Sequence, residues 1–145
     1  MRGPVENAFA KLAALPYIGV AAGDVFRVPS GYLNFKSDRP FRFCVVVALQ
    51  TLPDDQNPSI AHMIVGSTRP DVVPGVRCVR VEVGEGGLAL PTYFACDEES
   101  QLPLAILRDN AICRYLNRLS QQRVAELHEA IRQSPYLGPL KGLLP

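Results

Sequence analysis

The chain has 145 residues, of which 48% are hydrophobic and 20% charged, values ordinary for one globular domain with a real core. The formal net charge of +1 argues against a strongly basic nucleic-acid coat protein but leaves room for a local basic groove. No apolar run approaches the length of a membrane span, and the N-terminus does not resemble a signal peptide, so we expect a cytoplasmic protein with no membrane contact.

The N-terminal residues 1–22 are interpreted as a helical extension of the main domain. Residues 5–15 (VENAFAKLAAL) are rich in good helix formers, and their apolar residues approximate one helical face. Pro16 ends this segment. The predicted helix would pack on the body of the protein or on a partner.

Two strand-like segments follow, Val25–Val28 and Phe41–Val47, separated by a polar loop too long for a tight hairpin turn. Loops of this length often bind ligands. Within the loop, Arg39 precedes Pro40, which restricts its backbone to an extended conformation at the entrance of the second strand. Its guanidinium is therefore suited to a phosphate or carboxylate; the alternative is a solvated surface arginine.

The middle of the chain predicts further short strands. Residues 51–59 indicate a surface loop, and Ile60–Gly66 a third strand. We interpret His62 within this strand as a half-buried structural histidine rather than a catalytic one. Val76–Val83 predicts a fourth strand with a charged outer face, and Gly84–Gly87 a turn that lacks the setting of a dinucleotide-binding loop.

The next segments are less regular. Leu88–Asp97 predicts a strand in which Pro91 indicates an edge position or a bulge. Glu98–Gln101 is interpreted as a polar break, and Leu102–Leu107 fits either a final strand or a turn of helix. Asp109–Leu116 predicts a short helix.

The clearest helix of the chain is SQQRVAELHEAIRQS, with Ser120 as its N-cap. Its apolar stripe comprises Val124, Leu127, Ala130 and Ile131. His128 is interpreted as a solvated surface residue. Pro135 ends the helix, and the apolar tail of residues 135–145 either frays or docks on the body.

The four cysteines, Cys44, Cys78, Cys96 and Cys113, form no closely spaced pair, and neither histidine lies at a useful metal-ligand spacing. Three of them lie in strand-like segments, which favours free, buried thiols in a reducing cytoplasm. A cysteine nucleophile is poorly supported, because the sequence places no histidine beside one. We expect no metal and no cofactor.

The order of these elements predicts an α+β fold with a curved, mostly antiparallel sheet, in the form of a small barrel. The polar residues that remain as candidates lie at predicted strand ends. They are Arg39, the adjacent hydroxyls Ser67 and Thr68, and Asp97.

Several segments in this order resemble the PemK/MazF-type toxin endoribonucleases. They are GDVFRV, the loop ending in DRP, VVVAL, the strand ending in GST, GLALPTYFACDE and RLSQQRVAELHEAI. The resemblance covers residues 23–133 and implies an SH3-like barrel over residues 23–134, with the N-terminal helix as an addition and residues 135–145 as a tail. It also implies a homodimer that cuts single-stranded RNA without metal and is neutralised by a cognate antitoxin.

The resemblance implies roles for four residues. Arg39 matches the loop arginine before proline that binds the scissile phosphate. Ser67 and Thr68 match the hydroxyl pair after the third strand, and Asp97 matches the aspartate of the family's Arg-Cys-Asp-Gln pattern.

The chain departs from that pattern at two positions, where Ala95 replaces the arginine and Glu98 the glutamine. One cationic group of the expected site is therefore missing or supplied by Lys36, Arg42 or Arg69. The loop aromatics Tyr32 and Phe35 either stack on unpaired bases or pack on the barrel.

Cleavage of RNA by its own 2′-hydroxyl needs in-line geometry, a base, an acid and a positive group on the phosphorane. Arg39 is expected to supply the charge, Asp97 the base, and Ser67 and Thr68 hydrogen bonds to phosphate oxygens. The sequence thus favours an endoribonuclease toxin of a bacterial type II toxin–antitoxin system. The alternatives are an inactive barrel of the same fold that binds RNA or a protein partner, and an interaction domain without RNA contact.

Overall fold

A computed structural model describes residues 19–33, 38–69 and 77–145 of the chain. The strands are β1 (Asp24–Pro29), β2 (Phe41–Gln50), β3 (Ile60–Ser67), β4 (Cys78–Val81), β5 (Thr92–Pro103) and β6 (Arg114–Arg118). The helices are α1 (Leu104–Leu107), α2 (Gln121–Gln133) and α3 (Gly138–Lys141), and there are 3₁₀ turns at Ser30–Tyr32 and Glu85–Gly87. The predicted helix of residues 5–15 lies outside the described residues.

The strands form one sheet in the order β4-β5-β3-β2-β1-β6, with every neighbouring pair antiparallel. The sheet is curled into a half-barrel, so the predicted α+β class with a curved antiparallel sheet is confirmed. Within the described segments, no helix combines the length and apolarity needed to span a membrane.

Both faces of β2 are covered, which explains why its sequence is apolar almost throughout. Val45 and Val47 belong to a core that includes Leu127 and Ile131 of α2. Cys44 and Val46 alternate with them and belong to a second core on the opposite face. This core also includes Val28, Met63, Leu104 and Leu107. Successive side chains of a strand point to opposite faces, so β2 contributes to both cores.

Helix α2 agrees with the sequence-based prediction at its ends but not at His128. Ser120 caps α2 as predicted, since its hydroxyl accepts a hydrogen bond from the Arg123 amide at 3.2 Å. The tail docks, because Leu137 and Leu140 are buried in the core beside α2. The prediction of a solvated His128 is wrong: the residue is 6% exposed, and its Nε2 lies 2.8 Å from the Val47 carbonyl oxygen of β2.

The predicted polar break at Glu98–Gln101 is also wrong, because these residues continue β5. Ile64 of β3 pairs with Glu99, whereas Gly66, two positions later, pairs with Phe94. The extra residues of β5 form a bulge, which accommodates polar residues without ending the strand. The strand begins at Thr92 rather than at residue 88.

The prediction of a helix over Asp109–Leu116 is wrong as well. Asp109 instead forms a turn in which its Oδ1 accepts a hydrogen bond from the Ala111 amide at 2.9 Å. The chain then enters β6, which pairs with β1 and packs Tyr115 against Phe26 with ring centroids 5.4 Å apart. This long-range contact outweighs local helix propensity. For Leu102–Leu107 the sequence left a strand or a turn of helix open, and both occur, since β5 ends at Pro103 and α1 follows.

The fourth strand is shorter than predicted and sits at the edge of the sheet, so Cys78 is exposed rather than buried. Val83 is 58% exposed and lies outside the strand. The other three cysteines are buried as expected. The predicted glycine turn follows β4 and packs on the β6 side. Gly86 has a φ of 59°, and a Cβ there would lie 2.7 Å from Leu119.

Candidate functional site

A pocket of about 180 Å³ lies where β2 begins and β3 ends. Residues 39–43 line it from the entrance of β2, and Gly66 and Thr68 line it from the end of β3. The antiparallel register places Phe43 opposite Gly66, which brings the two segments together. The pocket is therefore built by strand pairing, and its polar side chains come from residues at strand ends.

Arg39 and Thr68 meet at this pocket although they are 29 positions apart in sequence. The Arg39 Nη1 donates a hydrogen bond to the Thr68 Oγ1 at 3.4 Å. At this distance the contact is at the weak end of the hydrogen-bond range. The structure thus brings together two of the four residues that the sequence nominated for catalysis.

Arg42 adds a second guanidinium to the pocket lining. Its Nη2 donates to the Gly66 carbonyl oxygen at 3.0 Å. Burial lowers the pKa of Arg42, and the neighbouring charge of Arg39 lowers it further, while Cys44, Asp38 and Glu98 act in the opposite direction. Two arginines held at one pocket favour an anionic ligand such as a phosphate.

Gly66 is required by the packing behind the pocket. A Cβ at this position would lie 2.6 Å from Thr92 Cγ2 and 2.9 Å from Phe94 Cε1. Any larger residue would push β3 away from β5, and the carbonyl that holds Arg42 would move with it.

Ser67, the neighbour of Thr68, is placed differently. It is 5% exposed, its hydroxyl accepts a hydrogen bond from the Arg69 amide at 3.0 Å, and it lies 3.3 Å from the Arg69 carbonyl oxygen. Ser67 is not among the pocket-lining residues. Its hydroxyl stabilises the turn that follows β3, and its catalytic role stays a prediction.

Asp97 also makes its contacts away from the pocket lining. Its Oδ2 accepts a hydrogen bond from the Arg77 amide at 3.3 Å, and its Oδ1 lies 3.6 Å from the Arg77 Nη1. Ala95, which replaces the expected arginine, is 6% exposed and pairs with Cys78. Glu98 is exposed in the same bulge, and its charge acts on Arg42. The role of Asp97 as a base stays a prediction.

Those candidate RNA-binding residues that the structure describes lie around the pocket end of the sheet. Arg42 lines the pocket, Tyr32 is 43% exposed in the turn after β1, and Arg69 is exposed just after β3. Phe35 and Lys36 lie outside the described residues, so the choice between base stacking and packing stays open for Phe35.

Two residues at this end were not singled out from the sequence. The Arg27 guanidinium lies over the Phe41 ring, with its Cζ 4.5 Å from the centroid. Phe41 is 40% exposed and lines the pocket. The available signal was the single charge of Arg27 within the otherwise apolar strand VFRV.

No protein-family model matches the sequence, and no curated protein matches it either. Within the described segments, no three His, Cys, Asp or Glu side chains are grouped so that they could hold a metal ion. The assignment of a function therefore depends on the pocket and on the side chains around it.

Proposed function

We propose that the protein is a metal-independent endoribonuclease that cleaves single-stranded RNA at the pocket of Arg39 and Thr68. The observation that carries the proposal is the convergence of these two distant residues, with Arg42, on one pocket of about 180 Å³. The sequence resemblance to PemK/MazF toxins supports the rest. It supports a role as a type II toxin, an SH3-like class for the curled sheet, a cytoplasmic homodimer and a cognate antitoxin.

In this reaction the 2′-hydroxyl of the RNA loses its proton and attacks the adjacent phosphorus. The bond from phosphorus to the 5′ oxygen then breaks, and that oxygen takes up a proton from water, which leaves a 2′,3′-cyclic phosphate and a 5′-hydroxyl. Arg39 neutralises the non-bridging oxygens as charge accumulates, and Thr68 donates a hydrogen bond to one of them. One such donor is worth about 2.7–4 kcal/mol in comparable oxyanion sites.

The proton acceptor is assigned to a carboxylate of the β5 bulge. Asp97 is the residue that the sequence nominates, but it contacts Arg77. Glu98 is the exposed alternative, and its charge acts on Arg42 at the pocket. Asp97→Asn and Glu98→Gln keep the shape of the side chain and remove the base, so the variant with the larger loss of cleavage identifies the acceptor.

The proposal is tested by incubating the purified full chain with single-stranded RNA in the presence of a chelator. We expect products with cyclic phosphate ends, and a fall in cleavage rate of about 10²–10³-fold for Arg39→Ala. Arg108→Ala is the matched control, because Arg108 is an exposed arginine that follows α1. Cleavage that persists unchanged in Arg39→Ala would overturn the proposal.

A second candidate is an inactive barrel that binds RNA or a protein partner through the same pocket. Two observations favour it: Ala95 leaves the expected cation missing from β5, and Asp97 is engaged by Arg77. This candidate predicts no cleavage by the wild-type chain. For RNA as the partner, it also predicts binding that Arg39→Ala weakens and Arg108→Ala does not.

A further inference from the structure

The pocket continues on one side into a basic and aromatic surface that the proposed chemistry does not use. Phe41 lines the pocket and carries the Arg27 guanidinium over its ring, 4.5 Å from Cζ to the centroid. A guanidinium stacked on a ring still presents its N–H edge to an acceptor. The surface formed by Arg27 and Phe41 is therefore continuous with the site of Arg39 and Thr68.

Arg114 of β6 stands directly opposite Arg27 of β1 in the antiparallel pair. Residues in this relation share a face of the sheet, and like charges placed there destabilise the pair. Across the described part of the chain, no carboxylate forms an ion pair with either arginine. A bound anion would relieve the repulsion, so this arrangement is suited to a second phosphate.

We propose that Arg27, Arg114 and Phe41 form a second nucleotide subsite beside the pocket of Arg39 and Thr68. The two arginines bind the phosphate next to the scissile one, and the neighbouring base stacks on the exposed part of the Phe41 ring. The inference rests on the proposed function, because it takes the ligand of the pocket to be single-stranded RNA. The subsite sets how long a substrate must be, since only an oligonucleotide reaches both positions.

The test uses a 2′-O-methyl RNA heptanucleotide, which lacks the attacking hydroxyl, and a dinucleotide with a single phosphate as a short probe. For Arg114→Gln we expect heptanucleotide binding to weaken about 3–10-fold, and the slope of log Kd against log salt concentration to fall by about 0.7. Dinucleotide binding should stay as in the wild type. The matched control is Arg108→Gln, and the melting temperature of each variant reports its folding.

The possible results separate the two proposals. Arg114→Gln that matches Arg108→Gln in affinity and salt slope would overturn the subsite, while cleavage that depends on Arg39 would still uphold the endoribonuclease. A wild-type chain that neither binds the heptanucleotide nor cleaves RNA would overturn both. Removal of a like charge should leave the melting temperature unchanged or raise it. A marked fall would instead identify Arg114 as structural and contradict the proposal.

Discussion

The two ends of the β2–β3 pair treat polar side chains in opposite ways. At one end, His62 is 4% exposed, with its Nδ1 2.9 Å from Glu99 Oε2 and its Nε2 2.8 Å from Gln50 Oε1. At the other end, Arg39 and Thr68 face a pocket. The same strand pair therefore buries a polar cluster at one end and lines a pocket with polar side chains at the other.

The difference arises from the residues that pair with β3. At the His62 end, β5 contributes Glu99, which lies within hydrogen-bond distance of the imidazole. At the pocket end, the residues of β5 opposite Gly66 and Ser67 are Phe94 and Tyr93, which provide no acid. The His62 end is a hydrogen-bonded cluster of side chains within the sheet, whereas the pocket end brings the guanidinium groups of Arg39 and Arg42 to one pocket.

The largest effect is expected at the pocket end of the β2–β3 pair. Thr68→Val keeps the shape of the side chain but removes the hydroxyl that accepts from Arg39, so RNA cleavage should fall about 10²–10³-fold while the melting temperature stays constant. Cleavage rates under single-turnover conditions measure this. Thr51→Val, in the exposed loop after β2, is the control, and an equal loss in both variants would contradict a role for Thr68.

At the His62 end, a substitution is expected to reduce stability rather than activity. His62→Ala leaves Glu99 and Gln50 without their buried partner and opens a cavity, which should lower the free energy of unfolding by about 3 kcal/mol. Urea denaturation monitored by circular dichroism measures the change. Cleavage should be retained at temperatures where the variant is folded. A stable variant that has lost cleavage would show that the two ends do not differ as described.

The buried carboxylate of Asp24 tests whether hydrogen bonds within the protein also stabilise the edge of the sheet. Asp24 is fully buried, its Oδ1 accepts from the Arg118 Nε at 2.6 Å, and its Oδ2 accepts from the Ala21 amide at 2.8 Å. We expect Asp24→Asn to lower the free energy of unfolding by about 2 kcal/mol, because Arg118 is half-exposed and water screens the pair. Chemical denaturation measures it. Arg118→Gln should cost less, and the reverse order would be inconsistent with a buried carboxylate as the critical group.

The smallest effect concerns a surface ion pair. Hydrogen bonds from the Arg123 guanidinium and from the Glu82 amide lower the pKa of Glu85 below its ordinary value. The stabilisation is complete above the pKa of an ordinary glutamate, about 4.3, and is lost as the pH falls through the lower folded value. The melting temperature of Glu85→Gln should therefore fall less steeply with acid than that of the wild type. If the melting temperatures of the two proteins fall in parallel as the pH is lowered, Glu85 does not contribute this pH-dependent stability.

The sequence predicted the elements whose signals are local. Short apolar runs indicated β1 to β3, and Ser120 indicated the start of α2, because strand patterns and helix capping act within a few residues. It misplaced β6 and read the β5 bulge as a break. It also placed His128 in solvent. Each of these depends on a partner distant in the chain, such as the Val47 carbonyl that holds His128.

The same distinction between local signals and contacts distant in the chain applies to the candidate site. The sequence nominated Arg39 at the entrance of β2 and the adjacent pair Ser67 and Thr68 at the end of β3. Only the tertiary structure decided that Thr68 meets Arg39 while Ser67 turns to the backbone of Arg69. Ser67 is the last residue of β3, where it pairs with Tyr93 and is buried, whereas Thr68 lies just beyond the strand and meets Arg39. Two hydroxyls that are equivalent by composition therefore differ because strand pairing ends between them.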